Sequence, residues 1–396
     1  MTSPPRVPLA DRLARMTSSS TLRVLQMTEK LRAEGIDVIS LGAGEPDFPT
    51  PENIREAAIT AIEAGFTKYT SAGGIADLRR AIIERMRRDF GGEYGMEEVI
   101  ATVGGKQAIF EAIAAIVNPG DEVLIPAPFW VTFPEVVHFC GGTPVLIDTE
   151  PTQFQLTADA VRERITPKTK LLVVNSPNNP TGRVVPAEEM RRIVEVAAEH
   201  NIWVLIDDCY LYFVYPPVAP FSAIGLPSEL RDRCLVTGSF SKTYAMTGWR
   251  IGYALGPSEW IKAMLMIQSH STSNPTSISQ YAAIEAFAGR QDSVREMLDE
   301  YRRRRDWLIP ALNDIPGITC VMPEGAFYAL PNVRGVLADD LPTSRALADA
   351  LLEHAGVAVT SGSAFGAEGY IRLSYATALD DLQRAVERIR DFLDRR

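Results

Sequence analysis

Short apolar runs recur through the middle of the chain, and most of them are separated by segments with a helical pattern. The runs are five or six residues long, rich in β-branched side chains, and lie at 98–102, 122–126, 144–148, 171–175, 202–207, 234–238 and 251–255. Runs that are apolar on both faces are typical of strands covered on both sides of a parallel sheet. The pattern therefore predicts an α/β fold with a large, mostly parallel, seven-stranded sheet between layers of helices.

The ends of the chain differ from this middle region. Thr50 is predicted to cap a helix whose first residue is Pro51, and Thr377 to Asp380 resemble a capping box ahead of an amphipathic C-terminal stretch. The sequence contains no linker rich in Pro, Ser or Gly. We expect one large domain, and a second, smaller α/β domain that both termini build together. The predicted segments are 1–45 for the N-terminal part of the small domain, 46–300 for the large domain and 301–396 for the C-terminal part of the small domain.

The composition is that of an ordinary globular protein. Of 396 residues, 46% are hydrophobic and 23% are charged, which excludes wholesale disorder. The net charge of −10 disfavours nucleic acid as the main partner. Four cysteines stand far apart without a CxxC pair, so neither a disulfide framework nor a metal site is expected. Because the sequence lacks a signal peptide and an apolar membrane span, a cytoplasmic enzyme with small-molecule substrates is the default prediction.

Several common catalytic motifs do not occur in the sequence. The VGGKQ segment at 103–107 lacks the spacing of a P-loop, and no GxGxxG follows a predicted strand. GSAFG at 362–366 misses the hydrolase elbow by one residue. What remains is a set of polar residues at the ends of predicted strands, where open α/β sheets bind ligands.

Three of these strand ends carry candidate chemistry. The GGK segment at 104–106 joins a strand to a helix, where backbone N–H groups could hold an anion or simply form a tight turn. Asp207 ends another strand, and a buried carboxylate there would need a partner. Lys242 follows a third strand, close in sequence to Arg250. A neighbouring cation and partial desolvation would lower the pKa of Lys242 and favour Schiff-base formation, whereas a surface lysine is the alternative.

Four short motifs make the sequence recognisable. They are NSPNNPTG (175–182), DDCY (207–210), SFSK (239–242) and TGWRIG (247–252). In this order and spacing they resemble the pyridoxal-phosphate aminotransferases of fold type I, and the resemblance runs from 41–51 to 370–377. The segments at 104–107, 128–135 and 245–254 are most similar to the prokaryotic aspartate aminotransferase subgroup. The resemblance implies ping-pong transamination between L-aspartate or L-glutamate and a 2-oxo acid.

The resemblance also implies roles around a pyridoxal 5′-phosphate cofactor. Lys242 would bind the cofactor covalently and then move a proton at the substrate Cα. Asp207 would pair with the pyridine nitrogen and keep it protonated. Tyr210 and Asn179 would hydrogen-bond the phenolic oxygen of the ring, and Trp130 would stack on the ring face.

A phosphate site and a partner subunit are implied in the same way. The phosphate would be held by Gly105, Lys106, Ser239, Ser241 and Arg250. Tyr69 matches a tyrosine that reaches the phosphate of the neighbouring subunit. The resemblance therefore implies a homodimer with shared active sites.

The implied substrate contacts centre on two cations. Arg372 matches the arginine that clamps the α-carboxylate, and Lys106 would approach the distal carboxylate of a dicarboxylic substrate. Gly44 would contact the α-carboxylate through its backbone, and Ser19 and Thr21 match N-terminal residues that assist. The full implied substrate-binding set is Gly44, Lys106, Trp130, Asn179, Arg372, Ser19 and Thr21.

Some alternatives stay open. Relatives that also accept prephenate often carry a lysine at the position of Thr17, which puts prephenate activity in doubt. A broad-specificity, aromatic or prephenate aminotransferase, or a β-lyase, would share every cofactor residue. A ligand-sensing domain would need a DNA-binding segment, but the residues before the family match show no helix-turn-helix pattern.

Overall fold

The computed structural model describes residues 9–17 and 20–396. The strands are β1 (Ile39–Ser40), β2 (Val99–Thr102), β3 (Glu122–Ala127), β4 (Thr143–Asp148), β5 (Thr169–Asn175), β6 (Trp203–Asp207), β7 (Cys234–Ser239), β8 (Gly252–Leu255), β9 (Tyr328–Ala329), β10 (Val357–Ala358), β11 (Thr360–Ser361) and β12 (Ile371–Ser374). The helices are α1 (Ser20–Ala33), α2 (Glu52–Glu63), α3 (Ala76–Phe90), α4 (Gly105–Ile116), α5 (Thr132–Phe139), α6 (Ala158–Arg162), α7 (Ala187–Glu199), α8 (Ser228–Arg231), α9 (Phe240–Thr243), α10 (Ser258–Ser271), α11 (Ser277–Ala288), α12 (Asp292–Asn313), α13 (Ser344–Ala355) and α14 (Leu379–Asp394).

Seven strands form the large sheet, in the order β2-β8-β7-β6-β5-β3-β4. The five strands from β4 to β7 along this order are parallel, and β8 runs antiparallel to both of its neighbours. The mostly parallel, seven-stranded sheet is therefore confirmed. Strand β8 reverses because the segment 240–251 holds only the one-turn helix α9, which does not form the crossover that a parallel strand needs.

The central strands are almost wholly apolar because both faces of the sheet are covered. In β6, Val204 and Ile206 pack into one hydrophobic core cluster, whereas Leu205 packs into a second cluster. Successive side chains of a strand point to opposite faces, so both sets must be apolar when helices cover both.

The two ends of the chain meet in smaller sheets. Strand β1 pairs in parallel with β10, so that Ile39 lies opposite Val357. Strands β11, β12 and β9 form an antiparallel sheet beside them. The second α/β unit built from both termini is thus confirmed as part of the fold. The expected boundary between residues 300 and 301 falls inside the continuous helix α12.

Two predicted helix caps are wrong. Helix α2 begins at Glu52 with Pro51 in the N-cap position, because the Thr50 hydroxyl instead donates to the Ala245 carbonyl at 2.6 Å. Helix α14 has Ala378 in the N-cap position without a side-chain cap. Each helix in the described part of the chain is too short or too polar to span a membrane.

Candidate active site

A cavity of about 270 Å³ opens where the carboxyl ends of the large-sheet strands meet. Strand β5 ends at Asn175, and Asp207 lies beside it at the end of β6. Strand β7 ends at Ser239, opposite Gly252 of β8, which in turn lies opposite Thr102 at the end of β2. Adjacent strand ends therefore bring side chains from distant parts of the sequence to one edge of the sheet.

Most of the predicted site residues line this one cavity. They are Gly44, Gly105, Lys106, Trp130, Asn179, Asp207, Tyr210, Ser239, Ser241, Lys242, Arg250 and Arg372. Tyr69 does not lie there, because it is 92% exposed on the connection between α2 and α3. Ser19 lies outside the described residues, and Thr21 lies in α1, where its side chain is outside the description. Within residues 9–17 and 20–396, no group of His, Cys, Asp or Glu could hold a metal ion.

Donors suited to a phosphate group converge at the start of α4. Gly104 has a φ of +82°, and a Cβ there would collide with the Arg250 guanidinium. A Cβ on Gly105 would lie 3.2 Å from that of Ser239. The Ser239 hydroxyl accepts the Ser241 N–H at 3.1 Å, which places both serines at the start of α9. The free N–H groups and positive end of the α4 dipole add to this set, so the cluster favours an anion.

The carboxyl group of Asp207 is buried at the end of β6, where the residue is 6% exposed. Its Oδ1 accepts the backbone N–H of Cys209 at 3.1 Å. Burial raises the pKa of Asp207 to about 7, although this N–H and the charge of Lys242 oppose the rise. A protonated ring nitrogen beside the carboxylate would supply the counter-charge that a buried anion requires.

The amine of Lys242 reaches across the cavity to the loop that follows β1, where it donates to the Gly44 carbonyl. Burial lowers the pKa of Lys242 more than the charge of Glu45 raises it, and the charges of Arg250 and Arg372 lower it further. A lowered pKa increases the fraction of neutral amine, which is the form that attacks a carbonyl carbon.

Arg372 is a buried cation on β12, only 2% exposed. It donates to Asn179 Oδ1 at 3.0 Å and to the Gly42 carbonyl at 2.7 Å. Its guanidinium lies 4.5 Å from the centre of the Tyr328 ring and 4.8 Å from that of Phe365. Its Nε has no partner among the described residues. A buried guanidinium with a free donor is suited to binding a carboxylate.

Lys106 brings a second cation to the same cavity. Its ammonium lies 4.8 Å from the centre of the Trp130 ring, which packs edge-on against Phe133. Burial lowers the pKa of Lys106, and the charges of Arg250 and Lys242 contribute. Arg372 and Lys106 are thus two cations in one cavity, and together they can bind the two carboxylates of a single ligand.

The cavity also contains residues that the sequence did not reveal as site residues. They are Ile109, Asn175, Cys209 and Tyr328. Asn175 is the first residue of the NSPNNPTG motif, and Cys209 lies inside DDCY. Their place in these motifs could have indicated that they line the site. Tyr328 stands in an apolar segment, and no local pattern indicates that its hydroxyl lies 2.8 Å from that of Tyr210.

Three parts of the cavity fit the three ends of pyridoxal 5′-phosphate, the cofactor that the resemblance implies. The donors at the start of α4 suit its phosphate, and the Asp207 carboxyl suits its ring nitrogen. The Lys242 amine suits its carbonyl carbon, and the Trp130 indole provides a flat wall for the ring. The residues present therefore fit this cofactor.

Comparisons with known proteins agree with this geometry. A family model described as aminotransferase class I and II matches residues 36–389. The aspartate aminotransferase of Geobacillus stearothermophilus is 45% identical over 390 residues, which cover 98% of this chain and 99% of that protein. A probable aspartate/prephenate aminotransferase of Rhizobium leguminosarum bv. phaseoli is 46% identical over 392 residues, with 97% and 98% covered.

Solved structures are similar over the same length. The aspartate aminotransferase from Rhizobium meliloti has a TM-score of 0.94 at 42% identity, and the match covers 98% of this chain and 100% of that one. The Thermus thermophilus aspartate aminotransferase with maleate has a TM-score of 0.92 at 42% identity, with the same coverage. The likeness therefore extends over both the large sheet and the smaller sheets.

Proposed function

Because the chain belongs to the class I and II aminotransferases, we propose that it transfers the amino group of L-aspartate or L-glutamate to a 2-oxo acid. The protein is an aminotransferase that depends on pyridoxal phosphate. This cofactor supplies a carbonyl carbon that condenses with amines and a ring that withdraws electrons from the substrate Cα. A dicarboxylic substrate is proposed because Arg372 and Lys106 lie in the same cavity.

The residues around the cofactor would divide its chemistry among them. Asp207 keeps the ring nitrogen protonated, because its buried carboxylate stabilises a positive charge. Tyr210 and Asn179 donate hydrogen bonds to the phenolic oxygen, and Trp130 holds the plane of the ring. Lys242 would hold the cofactor before substrate arrives, and would afterwards take the proton from the substrate Cα and deliver it to the former carbonyl carbon of the cofactor. Its lowered pKa suits the second task, since only the neutral amine accepts a proton.

The substrate would be held at both of its ends. Arg372 binds the α-carboxylate, with the Gly44 backbone beside it, and Lys106 binds the distal carboxylate. A substrate without that second carboxylate leaves the partly buried Lys106 ammonium unpaired, so it is disfavoured. The similar Thermus thermophilus structure holds maleate, which is a dicarboxylate. Ser19 and Thr21 are proposed to assist at this end.

The region of Thr17 favours aspartate over prephenate as the substrate. The Thr17 backbone N–H and hydroxyl donate to the Glu135 carboxylate at 2.8 and 2.6 Å. Thr17 is neutral, and it occupies the position at which the family resemblance implies a lysine in members that also accept prephenate. Some relatives are named aspartate/prephenate aminotransferases, so prephenate belongs in the substrate panel.

We propose that the working form is a homodimer with shared active sites. The exposed position of Tyr69 supports this arrangement, because a large aromatic side chain that is 92% exposed in one chain is suited to contact a second. Its hydroxyl would then donate to the phosphate bound in the partner. The cytoplasmic location and the 46–300 and 301–396 domain limits also stay predictions.

The test follows the visible absorption of the bound cofactor while single amino acids are added. Aspartate or glutamate should remove the absorption band of the lysine-bound cofactor, and oxaloacetate or 2-oxoglutarate should restore it. Alanine, phenylalanine and the amino acid formed by transamination of prephenate should remove the band far less effectively. The Lys242→Ala variant should retain part of its cofactor affinity and lose turnover. Equal responses to acidic and neutral amino acids would discard the dicarboxylate proposal, and full turnover by Lys242→Ala would remove Lys242 from its role.

A further inference from the structure

Tyr328 joins three parts of the active site through one side chain. It stands at the start of β9, is 1% exposed and lines the cavity. Its hydroxyl lies 2.8 Å from the Tyr210 hydroxyl, and its ring lies under the Arg372 guanidinium. A Cβ on Gly44 would lie 2.6 Å from the Tyr328 oxygen, so the backbone of that loop packs directly against the hydroxyl. The Gly44 loop therefore closes one side of the space around the Tyr328 hydroxyl.

The environment of the two hydroxyls favours Tyr328 as the donor of their shared hydrogen bond. Burial raises the pKa of both groups, and for Tyr210 the pKa rises well above the usual value. For Tyr328 the charge of Arg372 acts most strongly against that rise. The Arg372 guanidinium lies 4.5 Å from the centre of the Tyr328 ring, and a cation so close makes that hydroxyl the better donor, so we take Tyr328 to donate to the Tyr210 oxygen. Tyr210 is then left with its own proton to donate elsewhere.

We infer that Tyr328 is a positioning residue: it donates to the Tyr210 oxygen and thereby directs the Tyr210 proton to the phenolic oxygen of the cofactor. A hydroxyl that accepts one hydrogen bond donates a second more strongly, because the bonds of a chain polarise one another. The inference rests on the proposed contact between Tyr210 and the cofactor.

The test measures the pH at which the visible absorption of the cofactor-loaded enzyme changes. A hydrogen bond to the phenolic oxygen stabilises its anionic form, so weakening that bond raises the midpoint of the transition. Tyr328→Phe keeps the ring under Arg372 and removes only the hydroxyl. We expect it to raise the midpoint by about half a pH unit, and Tyr210→Phe to raise it further. In the Tyr210→Phe background, adding Tyr328→Phe should change nothing more.

A matched control and a variant of opposite sign complete the experiment. Tyr375 is another buried tyrosine, whose hydroxyl donates to the Ala326 carbonyl at 3.3 Å, and Tyr375→Phe should leave the midpoint unchanged. Replacing Tyr328 with 3-fluorotyrosine retains the hydroxyl and makes it a stronger donor, so the midpoint should fall. This variant also decides the question if Tyr328→Phe does not fold.

The outcomes separate the inference from the proposed function. An unchanged midpoint in folded, loaded Tyr328→Phe, or an equal shift with and without Tyr210, would overturn the role of Tyr328. The inference is also overturned if Tyr375→Phe shifts the midpoint as much. An unchanged midpoint in Tyr210→Phe would overturn the contact between Tyr210 and the cofactor, and the inference with it.

Discussion

The buried carboxyl of Asp207 should make the stability of the cofactor-free protein depend on pH. Its pKa is raised from 3.8 to about 7 by burial, so between these values the folded protein holds a proton that the unfolded chain has released. The free energy of unfolding therefore falls as the pH rises from about 4 to about 7, and recovers on acidification. Asp207→Asn removes the titration and keeps an oxygen that can accept the Cys209 N–H.

The magnitude follows from the part of this interval that lies above pH 5. Two pH units at 1.36 kcal/mol each correspond to about 3 kcal/mol. We expect Asp207→Asn to gain about 3 kcal/mol of unfolding free energy relative to the wild type between pH 5 and pH 8. The measurement is urea unfolding of the cofactor-free proteins at both pH values. A difference between the two proteins that stays constant with pH would refute the raised pKa of Asp207.

Asp208 provides the matched control. Its carboxyl is also buried, accepts the Ser222 hydroxyl at 2.5 Å and has a pKa raised to about 8 by burial. It does not line the cavity. Asp208→Asn should therefore remove a similar pH dependence of stability and change cofactor affinity much less than Asp207→Asn does. With cofactor bound, the part of the wild-type loss of stability that is due to Asp207 should disappear, because the ring nitrogen then pairs with Asp207.

Three further predictions concern the two ends of the cofactor and the substrate. Lys106→Met should lower kcat/KM for aspartate about 10- to 100-fold and change that for alanine little, because one charged hydrogen bond is lost; an unchanged ratio in steady-state kinetics would contradict this. Gly104→Ala should weaken cofactor binding at least about tenfold, since its φ of +82° and the nearby Arg250 oppose a Cβ; fluorescence titration with cofactor would show equal affinities if this is wrong. Tyr69→Phe should speed cofactor loss although Tyr69 is exposed in one chain, and an unchanged dissociation rate would count against the shared site.

The pattern of apolar and polar residues is enough to predict the large sheet and the strand ends at which functional side chains lie. A strand covered on both faces is mostly apolar, so β5, β6 and β7 are visible through the runs LLVV, WVLI and CLV. The polar residues that end such runs are visible for the same reason, and Asp207 was found in this way. The roles of Trp130 and Arg372 came from the resemblance and not from their local pattern.

The contacts among these side chains follow from the packing of elements that are far apart in the sequence. Tyr210 and Tyr328 are 118 residues apart, and Arg372 and Asn179 are 193 apart. The Lys242 amine donates a hydrogen bond to the Gly44 carbonyl, 198 residues away. Periodicity records how each element is buried, because neighbouring residues of one element share the same surroundings. Hydrogen bonds between elements depend on how strands and loops distant in sequence are packed together, and no local pattern carries that information.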